Sequence, residues 1–308
     1  MDKLEAMAML VAVVDKGSFS AASKSMGVPL ATLSRKVGEL EKRVGVRLLL
    51  RSTRALSLTP EGANYVVTAK RILEQVAEAE QQAVGEHLAP KGDLVITAPL
   101  LFGRMHVLPV VTEFLALYPE INIRLNLSDR NLHMLDDHID MAVRIGALPD
   151  SALYASPIGN MRTVTCASTD LLNNYGTPTT PNDLFGFPCI TLNTFMPSTH
   201  WSFRNPHDDK VTTLNVTSRL DVTNGDAAVN AAVDGIGITQ QLLYQVAEKV
   251  QAGLLKIILS EYELAPVPIH LLHASKRVMP QKMRCFLDFA APKIKARVDA
   301  IRAMAVDI

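Results

Sequence analysis

The sequence has little of several features that mark particular classes of protein. Its three cysteines, Cys166, Cys189 and Cys285, are too few and too far apart for a disulfide framework, so we expect a cytoplasmic protein in a reducing compartment. No run approaches the ~20 apolar residues of a membrane-spanning helix, and no membrane partner is expected. The apolar stretch at residues 6–14 is too short, and too acidic at its start, for a signal peptide.

Signatures of enzymes and metalloproteins are also missing. Gly235-Ile236-Gly237 lacks the third glycine of a dinucleotide fingerprint and follows a predicted helix, so it predicts a helix end. His133 and His138 would fall about 140° apart on a helix and could not face one metal. There is no phosphate-binding loop with a lysine and no nucleophile elbow. We therefore expect no catalytic residues, no metal and no cofactor.

Residues 18–62 carry the most informative pattern that is present. Small residues before Gly27 predict a helix that ends in a tight turn, because glycine suits a chain reversal. A second helix follows, with Pro29 allowed in its first turn. Four apolar residues at helical spacing give that helix a buried face: Leu33, Val37, Leu40 and Val44. Two short apolar runs around Arg51-Ser52-Thr53-Arg54 then predict a basic hairpin, and the whole stretch is typical of a winged helix-turn-helix that binds DNA.

The charge of this stretch supports a nucleic-acid partner. Residues 16–54 contain nine Lys or Arg against two acids, Glu39 and Glu41, which gives +7, whereas the whole chain balances 31 basic against 31 acidic residues. A basic patch on a neutral protein is the footprint expected of phosphate contacts. A solvated basic helix surface is the other interpretation, but the coincidence with the helix-turn-helix pattern favours DNA binding.

The same residues resemble the LysR-type transcriptional regulators. The family typically has a small-residue run before the turn, a Leu-Ser-Arg motif, a Leu-Glu pair, a glycine-led start of the wing, and Leu-Thr-x-x-Gly after it. This chain shows Ala21-Ala22-Ser23, Leu33-Ser34-Arg35, Leu40-Glu41, the run Gly45-Val46-Arg47-Leu48-Leu49-Leu50-Arg51, and Leu58-Thr59-Pro60-Glu61-Gly62. Ser23 and Leu50 depart from the commonest residues but keep their size or polarity class. The resemblance extends in outline over all 308 residues.

The resemblance implies a sequence-specific transcriptional regulator whose activity responds to a small molecule. Its implied partners are an imperfectly palindromic double-stranded operator, a small-molecule effector, further copies of the chain in a homodimer or homotetramer, and RNA polymerase. The residues expected at the DNA are Ala31, Thr32, Ser34, Arg35, Lys36, Arg51, Thr53 and Arg54, of which Ser34 and Arg35 match the family's contacting pair. The alternative is a small-molecule-binding protein whose basic N-terminus does not read DNA sequence.

The chain is expected to divide into three segments. Residues 1–58 form a DNA-binding domain, residues 59–91 a linker and dimerisation helix, and residues 92–308 an effector-binding domain. Thr59-Pro60-Glu61 predicts the start of the long helix, with threonine as the cap and proline first. That helix carries a narrow apolar seam formed by Val66, Ala69, Leu73, Val76 and Ala83. The seam favours pairing between two chains over packing within one, as the family uses this helix.

From residue 92 onward, short strands alternate with helices. This order predicts an α/β domain with parallel sheets. We expect two lobes, approximately residues 92–162 with 267–308, and residues 163–266, joined by crossing strands as a clamshell with the ligand in the cleft. The resemblance implies the same fold, similar to a periplasmic binding protein.

The effector is expected between the two lobes. The candidate residues are Leu100, Leu101, Phe102, Arg144 and Gly146 on one lobe, and Thr194, Phe203, Thr223 and Asn224 on the other. Asn224-Gly225 predicts a helix start whose N–H groups could bind an anion. Many family members hold a carboxylate with Ser or Thr in the first loop, where this chain has leucines. A largely apolar or aromatic effector with at most one anionic group is therefore expected. The alternative is that Leu100 and Phe102 are ordinary packing residues.

Overall fold

A computed structural model describes residues 2–51, 56–84, 89–129, 134, 138–148, 153–193, 197–273 and 279–304. The chain separates into two compact units, Met1–Ala89 and Pro90–Ile308, and each is described by itself.

Unit 1 is a small helical domain with a two-stranded wing. Its elements in chain order are α1 (Lys3–Asp15), α2 (Phe19–Met26), α3 (Leu30–Val44), β1 (Leu49–Arg51), β2 (Leu56–Leu58) and α4 (Pro60–Val84). The antiparallel strands β1 and β2 form the wing. Buried apolar side chains from α1, α3, β1 and the first turns of α4 share one core, in which Leu10, Leu33 and Leu40 are fully buried.

Local capping explains where these helices begin and end. The Ser18 side chain accepts a hydrogen bond from the Ala21 N–H at the start of α2. Gly27 ends α2 with φ of 65°, a left-handed conformation that favours glycine. The Thr59 hydroxyl accepts from the Gly62 N–H at 2.9 Å, which confirms the predicted cap of α4.

Unit 2 contains two mixed α/β lobes. Its strands are β3 (Gly92–Ala98), β4 (Ile121–Leu127), β5 (Met141–Ile145), β6 (Tyr154–Met161), β7 (Thr163–Ser168), β8 (Cys189–Asn193), β9 (Pro197–Ser198), β10 (His200–Arg204), β11 (Val211–Asn215), β12 (Ser218–Val222), β13 (Ile238–Leu242), β14 (Leu255–Ile258) and β15 (Val267–His273). Its helices are α5 (Leu100–Phe102), a π-helical turn (Gly103–Val107), α6 (Leu108–Leu117), α7 (Thr169–Tyr175), α8 (Gly225–Val233), α9 (Leu243–Gln251), α10 (Gln281–Met304), and two 3₁₀ turns (Pro181–Gly186 and Ser260–Tyr262).

The prediction of parallel sheets was only partly right. The first lobe has the order β4-β3-β5-β15-β6, and the second has β12-β8-β13-β7-β14, with β9 beside β8. Strands β3, β4 and β5 are parallel, but β15 is antiparallel to both β5 and β6. The reason is that β6 leaves the first lobe at the crossover, whereas β15 enters it there from the second lobe. Local periodicity does not show this reversal.

Two chain crossovers connect the lobes, and an ion pair ties them together. Arg162 lies between β6 and β7, and Glu263 lies between β14 and β15. The guanidinium Nε and Nη2 of Arg162 each donate to one carboxylate oxygen of Glu263 at 2.8 Å. This two-point geometry is the strongest form of such a pair.

One helical stretch of the described chain is long and apolar enough to cross a membrane by length and composition alone. It spans Leu100–Leu117, with a mean hydropathy of 1.5. The stretch contains α5, the π-helical turn and α6, and the Phe114 ring packs edge-on against Phe286 of α10 at 5.1 Å. A core helix of a globular domain passes the same test, so a single stretch of this kind is weak evidence for a span.

Candidate DNA-binding surface and ligand cleft

Helix α3 has one buried and one open face. Its fully buried residues are Leu33, Val37 and Leu40. Because the helix turns about 100° per residue, Ala31 and Arg35 lie opposite this buried stripe. Ala31 is exposed, and the Arg35 side chain is 61% exposed. Thr32 and Ser34 are half-buried at the borders of the open face.

Two basic residues of α3 form ion pairs within unit 1. The Arg35 Nη1 lies 2.6 Å from the Glu39 carboxylate one turn later. The Lys36 Nζ lies 2.5 Å from the Glu5 carboxylate of α1, and the Lys36 side chain is only 17% exposed. Lys36 therefore ties α3 to α1 on the flank of the helix, whereas Arg35 stands on the open face.

The wing is held against α3 by a carboxylate. One oxygen of Glu41 accepts hydrogen bonds from the Leu48 and Leu49 N–H groups at 2.9 and 3.0 Å. From the other side, the Thr59 hydroxyl donates to the Arg47 carbonyl at 2.8 Å. From the sequence, Glu41 was recognised only as a motif residue and Thr59 only as a motif residue and helix cap; the function of both in positioning the wing was missed.

Three residues of the wing that were predicted to contact DNA are only partly described, or not described, by the structure. Arg51 ends β1, and only its backbone is described. Thr53 and Arg54 lie outside the described residues.

The loop after β3 forms part of a contact between the two lobes. Leu100 is 40% exposed, and its N–H donates to the Asp129 carboxylate at 2.9 Å. Leu101 is half-buried, and Phe102 is fully buried. The rings of Phe102 and of Tyr244 in α9 are nearly perpendicular, with their centroids 5.3 Å apart, so the Phe102 side chain packs between the lobes. Of the three loop residues, Leu100 has the most accessible side chain.

The start of α8 already has an internal cap. The Asn224 side chain accepts from the Asp226 and Ala227 N–H groups at 2.8 and 3.3 Å. Asp226 also places an acid in the first turn. These two donors are occupied, and the acid opposes a second negative charge, so the structure gives little support to an anion at this helix start. Thr223 is exposed beside it.

Tyr244 and Gln245 at the start of α9 connect both predicted halves of the cleft. Tyr244 forms hydrogen bonds with the Phe102 backbone and the Gln245 side chain, and burial raises the pKa of its phenol. A Cβ placed on Gly225 would lie 2.5 Å from the Gln245 amide nitrogen. Sequence reasoning missed these two residues, although they follow β13 at its carboxyl end, where ligands of α/β sheets bind.

The remaining candidates do not form one group. Arg144 is half-buried in β5, where desolvation lowers the pKa of its guanidinium, and Gly146 follows with φ of 110°. Phe203 lies in a separate buried cluster of the second lobe together with Trp201 and Leu214, away from the Phe102 cluster. Thr194 lies outside the described residues.

Several titratable groups in the described part of unit 2 are buried. No group of three or more His, Cys, Asp or Glu among the described residues could hold a metal ion. His106 is 7% exposed in the π-helical turn, and neither ring nitrogen has a hydrogen-bond partner within the described structure. Burial, with a smaller effect of the Arg297 charge, lowers its pKa to about 4. Burial also raises the pKa of Cys166 to about 12 and that of Cys189 to about 11.

These features define a winged helix-turn-helix DNA-binding protein that carries a two-lobed ligand-binding domain. Residues 4–63 match the family described as bacterial regulatory helix-turn-helix protein, lysR family, and residues 87–294 match the LysR substrate binding domain. The chain belongs to the LysR family of transcriptional regulators: it is a DNA-binding regulator with an effector-binding domain, not an enzyme.

Similar proteins cover nearly the whole chain. An HTH-type transcriptional repressor of Pseudomonas aeruginosa (strain UCBPP-PA14) is 35% identical over 295 residues, which cover 94% of this chain and 91% of the relative. The structure of CrgA, a LysR-type transcriptional regulator from Neisseria meningitidis, is 29% identical with a TM-score of 0.60, and the match covers 94% of this chain and 98% of that one. The full-length structure of the Vibrio cholerae virulence activator AphB is 27% identical with a TM-score of 0.59, covering 93% and 98%.

Proposed function

We propose that unit 1 reads a specific operator through the open face of α3, with Arg35 as the principal base-reading residue. The observation that carries this proposal is the exposure of Arg35 opposite the buried stripe of α3. An arginine can bind guanine through two hydrogen bonds, for which its side chain must exchange Glu39 for the base. Ala31, Thr32 and Ser34 flank it, and Lys36 supports the helix from the side. In the wing, Arg51, Thr53 and Arg54 contact phosphates or the adjacent minor groove.

The test compares Arg35→Lys with Arg35→Ala on two probes: a duplex selected from a random pool by the wild-type protein, and a random duplex. Arg35→Lys keeps the charge but loses the planar fork, so its affinity for random DNA stays while its preference for the selected duplex falls by about 1–3 kcal/mol. Arg35→Ala loses affinity for both. Arg54→Ala should weaken binding to both duplexes alike and reduce the salt slope by about one. An unchanged preference in both Arg35 variants contradicts this assignment.

We infer that α4 also pairs two copies of the chain, so that two wings meet an imperfectly palindromic operator. Val66 and Ala69 are buried in unit 1 itself, which removes them from the proposed seam. Leu73 and Val76 continue the same side of α4 and are half-buried. A Leu73→Asp substitution would bury a charge against the partner and should therefore shift the protein to monomers. Light scattering at micromolar concentration measures this, with Thr68→Asp, on an exposed position of α4, as the matched control. A Leu73→Asp protein that stays dimeric rules out this seam.

For unit 2 we propose that a largely apolar or aromatic small molecule binds beside Leu100, near the starts of α8 and α9. Thermal-shift screening of aromatic and aliphatic carboxylates and phenols tests the class, because a ligand stabilises by about 2.7 kcal/mol at a hundredfold excess over its Kd. Leu100→Ala should weaken the hit, whereas Leu117→Ala, exposed on α6, should not. Phe102 is a poorer probe because it is fully buried, and its truncation costs about 3–5 kcal/mol. A hit unaffected by Leu100→Ala places the ligand elsewhere.

The remaining parts of the proposal rest on the family. The first is the division of the chain into a DNA-binding domain at 1–58, a pairing helix at 59–91 and an effector domain at 92–308. The others are RNA polymerase as the partner at the promoter and a location in the cytoplasm. Limited proteolysis tests the division, since cleavage near residue 91 should release an effector-binding fragment that retains its ligand.

A further inference from the structure

The recognition helix α3 contains a glycine that its own fold does not explain. Gly38 lies in the middle of Leu30–Val44, where glycine is among the least favourable residues. A Cβ added at Gly38 would meet no described atom within 4 Å. Gly62 is different, since a Cβ there would lie 1.9 Å from the Leu48 carbonyl oxygen. The packing of the described residues therefore does not require a glycine at position 38, and the reason for this glycine lies outside the described structure.

Gly38 borders an open groove between α3 and the wing. The groove has a volume of about 750 Å³ and is lined by Gly38, Glu41, Lys42, Gly45, Val46, Arg47, Leu49 and Leu50. The exposed residues Lys42 and Arg47 supply two positive charges. The one acid in this lining, Glu41, accepts hydrogen bonds from the N–H groups of Leu48 and Leu49, at the start of the wing. Val46 and Leu50 are 43% and 51% exposed and add apolar surface.

The position of the groove indicates its occupant. When a recognition helix lies in the major groove of DNA and a wing in the adjacent minor groove, the backbone strand that separates the two grooves must pass between helix and wing. We propose that the groove seats this sugar–phosphate strand, with Gly38 as the point of closest approach. Lys42 and Arg47 contact phosphates, and Val46 and Leu50 pack against deoxyribose. This inference rests on the proposed DNA reading by α3.

The proposal makes stability and DNA affinity change in opposite directions. In the full-length protein, Gly38→Ala should raise the melting temperature by a few degrees, because alanine favours the helix. The same substitution should lower affinity for the selected duplex at least tenfold, and Gly38→Leu should lower it further. Thr68→Ala, exposed on α4, is the control that changes helix propensity without lowering affinity. Unchanged affinity in Gly38→Leu overturns the proposal.

Charge substitutions test the phosphate contacts separately. Lys42→Ala and Arg47→Ala should each reduce the slope of log affinity against log salt by about one, for selected and random duplexes alike. Lys256→Ala, exposed on β14 of unit 2, should leave the slope unchanged. A probe with neutral methylphosphonates at the seated phosphates should lose affinity with wild type but lose less with Lys42→Ala. An unchanged slope in both variants overturns the phosphate assignment.

The two levels of the proposal can fail separately. If Arg35→Lys loses its preference for the selected duplex while Gly38→Leu and Arg47→Ala bind as wild type, the groove assignment is wrong and α3 still reads DNA. If the wild-type protein selects no sequence from the random pool, the proposed DNA reading is wrong, and the groove proposal that rests on it is overturned as well.

Discussion

Glu41 offers a sharp test of how unit 1 is assembled, because it acts on the wing from the recognition helix. The perturbation is Glu41→Ala. One carboxylate oxygen accepts from the Leu48 and Leu49 N–H groups at 2.9 and 3.0 Å. Leu48 is fully buried and Leu49 is 3% exposed, so water replaces the lost acceptor poorly.

The expected magnitude follows from these two hydrogen bonds. A hydrogen bond to a charged group contributes about 1.5–3 kcal/mol, and a buried donor left without a partner costs about 1–3 kcal/mol. Because the two N–H groups share one oxygen, we expect Glu41→Ala to destabilise unit 1 by about 2–4 kcal/mol. Glu41→Gln keeps an oxygen acceptor and should destabilise unit 1 by about half as much. Glu39→Ala, two residues earlier, removes only an exposed ion pair and should cost about 0.5 kcal/mol.

Hydrogen exchange of wing peptides and far-UV circular dichroism in urea measure the effect in unit 1. The single tryptophan, Trp201, lies in β10 of unit 2, so its fluorescence reports on the other unit in the same samples. Glu41→Ala should also lose DNA affinity, since a displaced wing no longer aligns with α3. If Glu41→Ala and Glu39→Ala shift the unfolding midpoint equally, the wing does not depend on this carboxylate.

Two further predictions concern unit 2. The folded-state pKa of His106 is about 4, below its ordinary value of 6.5, so the stability that the neutral ring provides is complete above about pH 6.5 and is lost as the pH falls towards 4. Urea unfolding followed by Trp201 fluorescence should show a loss of up to about 3 kcal/mol for the wild type and a smaller loss for His106→Phe, and equal losses would contradict the assignment. Maleimide at pH 8 should label Cys285, the half-buried thiol, before Cys166 or Cys189, whose thiols stay protonated, and rapid labelling of either buried cysteine in the native protein would refute this.

Elements with a strong local signal could be predicted from the sequence. Helical spacing correctly predicted the buried residues Leu33, Val37 and Leu40 of α3, although Val44 at the end of the helix is 36% exposed, and Gly27 was correctly predicted to end α2. The Thr59 cap was found because it depends on residues adjacent in the sequence.

Contacts between distant residues could not be predicted in this way. The antiparallel entry of β15 depends on a return from the other lobe. Phe203 was predicted to line the cleft, yet it packs with Trp201 in a separate buried cluster. The sequence of a strand does not show which part of the fold covers each of its faces. Tyr244 was missed because only the fold brings α9 beside Phe102.

The Arg162–Glu263 pair has a mechanical consequence for signalling. Two separate flexible connections would let the lobes both open and twist, because each connection could move alone. The ion pair joins the two crossovers side by side, so a motion that separates them must break both hydrogen bonds. We therefore expect the lobes to open about the crossovers more easily than they twist, and an effector bound between the lobes would act on that opening angle.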